Sequence, residues 1–379
     1  MSNTIIEFVR DYFEQPEGFI PLHEPHFIGN EKKYVNDAID STFVSSVGKY
    51  VDRFEEMIKE YTHAKYAIAT VSGTAALHMS LILSGVKHNE LVITQPLSFI
   101  ATCNCICYIG AEPLFIDVDK DTLGLSPSKL AVFLEDKTTF IDGKCIHIQS
   151  GKRIAAIIPM HTFGHPAKLD ELVKIADKYN IPLIEDAAES IGSKFNNQHT
   201  GTFGILGAFS FNGNKTITCG GGGMIVTNDE KIAKLAKHLT TQAKIPHKWD
   251  FKHDYIGYNY RLPNINAALA CAQMEKLDDF VKNKRKLALN YSIFFKNTNI
   301  HFCDEPNSSY SNYWLNAILV KNEIERDKLL TELNDNGIMS RPAWTLMNKL
   351  EMFKHCICDN IDNAIDIENR LINLPSSVK

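Results

Sequence analysis

The chain reads as an α/β protein: a large domain with a mostly parallel, mixed sheet covered by helices, followed by a smaller C-terminal α+β domain. Three observations predict this. Helical and strand patterns alternate from about residue 51 to about residue 185. The strand candidates in that span are continuous apolar runs, as expected where both faces of a parallel sheet are covered. Near residue 244 the alternation gives way to an aperiodic stretch, then to a few helices and short strands. The expected divisions are an N-terminal arm over 1–20, a large domain over 21–250 and a small domain over 251–379.

Residues 3–13 carry Ile5, Ile6, Phe8, Val9 and Phe13 between polar positions, an amphipathic helix that ends at the turn-like Gln15-Pro16-Glu17-Gly18. Such an arm packs on its own domain or on a partner. Helices follow at 51–61, 74–83, 100–109 and 169–179, with strands at 66–71, 91–94, 113–116, 154–160 and 182–185. Residues 244–261, rich in His, Trp, Tyr, Lys and Gly, read as a long functional loop. A long helix is expected from 263 to about 294, strands at 314–320 and 338–340, and helices at 323–336 and 362–371. No low-complexity linker separates the halves, so a shared cleft is expected.

Composition narrows the partners. With 40 basic against 45 acidic residues, 44% hydrophobic and 22% charged, the chain has the proportions of a folded protein, and its net charge of −5 contains no long basic run. Nucleic acid and anionic membranes are therefore not expected partners. No stretch approaches the ~18 apolar residues of a membrane span, and acidic Glu7, Asp11 and Glu14 argue against a signal peptide. The nine scattered cysteines fit reduced thiols and a cytoplasmic location. Cys103 and Cys107 would share one helical face as small apolar side chains, with Cys105 pointing elsewhere; no metal site is expected.

Four constellations sit at the ends of predicted strands, where an α/β sheet places its ligands. Ser72-Gly73-Thr74 opens an alanine-rich helix and suits either a phosphate, held by free amides and hydroxyls, or a plain N-cap. Gln95-Pro96-Leu97-Ser98-Phe99 puts an aromatic ring after a strand, where it could stack on a flat ligand or fill the core. Asp186 ends a buried strand, and a buried carboxylate needs a cationic or hydrogen-bonding partner. It would face a protonated ring nitrogen or cap the next helix. Finally, Ser210 precedes Lys215 by five residues, in a neutral context followed by four glycines. Such surroundings would let a lysine amine act as a nucleophile.

Phosphate turn, aromatic, Asp and Ser-x-x-x-x-Lys in this order resemble the fold-type I pyridoxal 5′-phosphate aminotransferases. Within them the chain resembles the nucleotide-sugar family DegT/DnrJ/EryC1/StrS. The likeness extends through residues 20–25, Pro159-Met160-His161-Thr162-Phe163-Gly164-His165, Glu185-Asp186-Ala187-Ala188-Glu189-Ser190, Asn259-Tyr260-Arg261 and residues 373–377. It implies that Lys215 carries the cofactor on its amine and, once freed, shuttles a proton to the sugar C4. Asp186 would keep the pyridine nitrogen protonated, Ser72, Gly73, Thr74 and Ser210 would hold the phosphate, and Phe99 would stack on the ring. Asn259 would reach the cofactor of a neighbouring subunit, implying a homodimer with shared sites. Glu189 stands where many members carry Gln or His beside the cofactor's 3′-oxygen, and the presence of Lys215 favours aminotransfer over dehydration. The N-terminal arm and residues 43–48 and 340–347 resemble the LegC-like branch. That likeness implies a UDP-linked 4-keto-6-deoxy-N-acetylhexosamine acceptor and L-glutamate as donor, with surface-sugar biosynthesis as the setting. A GDP-4-keto-6-deoxymannose 4-aminotransferase and a sugar-nucleotide-sensing non-enzyme are the alternatives. Arg261, Arg341 and Trp344 are candidate substrate contacts, because guanidinium binds anions bidentately and indole stacks.

Overall fold

The computed structural model describes residues 2–379. Helix α1 (Ser2–Phe13) leads to α2 (Glu31–Asp40), α3 (Lys49–Thr62), strand β1 (Tyr66–Thr70), α4 (Gly73–Leu83), β2 (Leu91–Thr94), α5 (Ile100–Tyr108) and β3 (Glu112–Phe115). Helix α6 (Pro127–Lys137) and the hairpin β4 (Thr138–Ile141) and β5 (Lys144–His147) precede β6 (Ile154–Ile158), α7 (Leu169–Lys178) and β7 (Ile184–Asp186). Two short strands, β8 (Lys194–Phe195) and β9 (Gln198–His199), lead into β10 (Leu206–Ser210), β11 (Gly223–Thr227) and α8 (Glu230–Thr240). The remainder is α9 (Asn264–Met274), α10 (Leu277–Phe295), β12 (His301–Phe302), β13 (Ser309–Tyr310), β14 (Asn316–Leu319), α11 (Glu323–Asp335), β15 (Arg341–Pro342), α12 (Asp362–Arg370) and β16 (Leu371–Leu374).

The main sheet is mostly parallel and mixed, as expected. One half runs β1-β11-β10-β7 and the other β3-β2-β6. Parallel bridges Ile157 to Leu183 and Met160 to Asp186 join β6 to β7, making seven strands of which β11 alone runs antiparallel. Both faces are covered. Ala67, Ala69, Phe209, Met224 and Val226 point toward α3 and α9, while the alternating Ile68, Ala208 and Ile225 pack under α4 and α8. Helix α4, buried almost all round, lacks an amphipathic pattern because it has no polar face to show.

A second, antiparallel sheet has the order β12-β14-β16-β15. The N-terminal arm packs here, on its own chain: Ile5 and Val9 are fully buried against α10 and α11 residues, and Ile20 bridges to Ile338.

Three expectations need correction. The helix predicted over 263–294 is two, α9 and α10, because the chain turns at Glu275–Lys276, where the Glu275 carboxylate is held by Asn30, Tyr34 and Arg53. The strand expected at 338–340 lies at Arg341–Pro342, on the sheet edge where a proline removes no ladder bond. In α5 it is Cys103 and Cys105 that are buried and Cys107 that is exposed, since α5 is covered on two sides: Cys105 by the main core, Cys103 by Phe115, Met347 and Phe353.

Candidate active site

The C-terminal ends of β1, β2, β6, β7 and β10 open on one edge of the sheet, and there lies a cavity of about 370 Å³. A larger cleft of about 610 Å³, between the end of α10 and β12, contains none of the predicted site residues. Nine of the twelve predicted residues line the smaller cavity: Ser72, Gly73, Thr74, Phe99, Asp186, Glu189, Ser210, Lys215 and Trp344.

The Ser72 side chain caps α4 by accepting the amide of Ala75, so the N-cap reading of this serine holds as geometry. The turn it begins also faces the cavity. Gly73 must be glycine here, since a Cβ would sit 2.7 Å from the Ser210 Cβ. That close approach sets β10 and its serine beside the helix N-terminus, concentrating amides and hydroxyls where an anion is favoured. The glycine run serves the same turn: a Cβ at Gly223 would lie 2.3 Å from the Ser72 carbonyl oxygen.

Asp186, also on the cavity lining, ends β7 and is buried. Its Oδ2 accepts the Thr102 hydroxyl at 2.6 Å and its Oδ1 the Ala188 amide at 3.2 Å. Burial pushes its pKa up, against these hydrogen bonds and the charge of Lys215. Glu189 is also buried; its Oε2 accepts the Phe163 amide at 2.9 Å and its Oε1 the Lys215 ammonium at 3.3 Å. Burial raises its pKa to about 7, with Lys215 opposing. The Lys215 Nζ further lies 4.0 Å from the centroid of the Trp314 ring, whose Nε1–H donates to the Asn214 carbonyl at 2.6 Å. Phe99, half exposed, meets Trp344 edge-on at 6.2 Å, and Trp344 packs on Phe163 at 5.1 Å.

The other three predicted residues lie elsewhere in the protomer. Asn259 is exposed and bridges to Thr241, while Arg261 bridges to Thr70 beside β1. The buried Nε of Arg261 has no hydrogen-bond partner, and its Nη2 reaches Asn259 Oδ1 at 3.5 Å. Arg341 is exposed on β15 near Asn334 and the Ser340 carbonyl. Conversely, Thr102, Met160, Asn212, Asn214 and Trp314 belong to the site without having been predicted. Thr102 follows Phe99 by one helical turn, a spacing that could have found it. Trp314 lies about a hundred residues from Lys215, and no local pattern could have linked them.

The chain matches the profile described as the DegT/DnrJ/EryC1/StrS aminotransferase family over residues 26–379. It belongs to that family. Among its relatives are a GDP-perosamine synthase of Escherichia coli O157:H7, 38% identical over 94% of this chain and 93% of the relative, and a GDP-perosamine synthase of Vibrio cholerae, 36% identical over 94% of each. A DegT DnrJ EryC1 StrS aminotransferase from Brucella abortus, solved by crystallography, superposes with a TM-score of 0.84 at 27% identity, covering 92% of this chain and 90% of that one. The DegT-family chain is thus a sugar aminotransferase that depends on pyridoxal phosphate, on a fold-type I scaffold. Its cavity fits that cofactor: a helix N-terminus with the Ser72, Thr74 and Ser210 hydroxyls on the lining, brought together because a Cβ at Gly73 would meet Ser210, a buried carboxylate of raised pKa for a cationic ring nitrogen, and a lysine amine. Among the described residues of this family member no helix is long and apolar enough to cross a membrane.

Proposed function

We propose that this chain moves an amino group from glutamate to C4 of a GDP-linked 4-keto-6-deoxyhexose, with Lys215 as the proton-transferring base. The observation that carries the chemistry is the Lys215 amine, 3.3 Å from Glu189 in a cavity that Asp186 also lines. Bound pyridoxal phosphate supplies an electron sink that acidifies the carbon bearing the amino group. The chain's own residues do the rest. Asp186, oriented by Thr102 and Ala188, would hold a proton at the ring nitrogen; Ser72, Thr74 and Ser210 would bind the phosphate, and Phe99 would cover the ring. Lys215 Nζ would take the proton from the carbon bearing the donor's amino group and, in the reverse half-reaction, deliver one to the sugar C4, and Glu189 would keep that amine directed into the cavity. Trp344 walls the acceptor side.

The two relatives named GDP-perosamine synthases support a GDP-linked acceptor over the UDP-linked one that residues 43–48 and 340–347 suggest. Purified protein incubated with pyridoxal phosphate, glutamate and either GDP-4-keto-6-deoxymannose or UDP-4-keto-6-deoxy-N-acetylglucosamine separates them by mass spectrometry. The expected result is an amino sugar and 2-oxoglutarate in the GDP arm. Turnover in the UDP arm alone overturns the acceptor, and a deoxy sugar without 2-oxoglutarate overturns aminotransfer.

A further inference from the structure

Lys284, on the inner face of α10, is fully buried. Among the described residues it forms no ion pair, and burial alone accounts for its shifted pKa. Its ammonium donates instead to two backbone carbonyls, Trp314 at 3.1 Å and Ser376 at 2.5 Å. Burying a cation without an anionic partner is costly, and that burial lowers its pKa to about 7. The nearby imidazole of His23 provides no counter-charge, since burial and the two ammonium groups of Lys284 and Lys215 hold it neutral. A methionine or leucine would fill the site without this penalty, so the lysine calls for a reason beyond packing.

The reason lies in what the two carbonyls belong to. Ser376 is in the C-terminal segment, whose hydroxyl accepts the Asn316 amide and whose own amide donates to Leu22. Trp314 is anchored at its amide by Asn312 Oδ1 at 2.8 Å and at its indole N–H by Asn214. Its carbonyl is tied to the C-terminal segment through Lys284, and its ring face lies 4.0 Å from the Lys215 amine. We propose that Lys284 is a positioning residue: it clamps the Trp314 backbone to the C-terminal segment and so keeps the indole face against Lys215.

This rests on the reading of Lys215 above, and the two can fail separately. That reading is checked in the parent protein by borohydride, which should fix the cofactor to Lys215. The clamp is checked without cofactor, by the rate at which acetic anhydride modifies Lys215 relative to an exposed lysine such as Lys328, read by mass spectrometry. Lys284→Met and Trp314→Phe should each raise that ratio severalfold, and the double variant should match either single one, because both act through the same ring. In the loaded enzyme Lys284→Met should lower kcat more than it changes KM and alter the visible circular dichroism of the cofactor. A parent-like labelling ratio in folded Lys284→Met overturns the proposal, as does a double variant whose effect is the product of the two singles. If Lys284→Met does not fold, Lys284→Gln replaces it; loss of folding in both variants also overturns the proposal and assigns Lys284 to the frame.

Discussion

At the scale of single residues, the site is a set of buried charges arranged around one amine. Lys215→Ala should lower turnover by about 10²- to 10⁴-fold, the usual worth of a positioned acid–base group, and should abolish borohydride labelling while leaving thermal unfolding close to the parent. Glu189 offers a sharper test. Its pKa is raised to about 7 from the ordinary 4.5, chiefly by burial, so the folded protein holds this proton more tightly than the unfolded chain does. The stability it contributes is present below pH 4.5 and lost as pH rises through about 7. Glu189→Gln escapes that loss. Cofactor-free variant should therefore gain on the parent between pH 5 and pH 8, with a ceiling of about 3 kcal/mol, measured by urea unfolding at both pH values. A constant difference across that range would show that the carboxylate is not perturbed. Legibility at this scale follows chemistry carried by local pattern. Ser72 and Lys215 follow strands and Asp186 ends one, so all three announce themselves, whereas Thr102 and Trp314 matter only because folding brings them to Asp186 and Lys215.

At the scale of elements, the site is placed by close packing between neighbours. The α4 N-terminus lies against β10 and β11 because Gly73 and Gly223 have no side chains. Gly223→Ala would put a methyl 2.3 Å from the Ser72 carbonyl oxygen, which is backbone and has little room to retreat. The expected cost is about 1–3 kcal/mol of stability, together with weaker cofactor retention, read by calorimetry and by dialysis of the loaded protein. Ser72→Ala should cost about 1 kcal/mol as a lost N-cap and should also weaken retention if the turn holds the phosphate. The main-sheet strands that were predicted were legible because covered parallel strands are apolar without interruption. The α9–α10 break was not, since Glu275 looks like any helix residue until Asn30, Tyr34 and Arg53 gather on it from more than 200 residues away.

At the scale of the molecule, the cavity of a single chain is poor in cations. The cavity offers one cation, Lys215, among its lining residues, while the acceptor and donor proposed for it are both anionic. Asn259 and Arg261 stand beside the aromatic loop, where Trp249, Phe251 and Ile256 are 73%, 80% and 86% exposed. Exposed apolar side chains gathered in one loop suit a docking surface. If the loop crosses into a second copy, as the family resemblance implies, Asn259 completes a site whose lysine belongs to the other chain. Complementation tests this directly. Lys215→Ala and Asn259→Ala should each be nearly inactive alone, yet a heterodimer of the two carries one site with both residues intact. Random exchange makes half the dimers mixed, with one good site in two, so an equimolar mixture after unfolding and refolding should recover about a quarter of parental turnover. Activity no higher than the mean of the two separate variants would place Asn259 outside the neighbour's site.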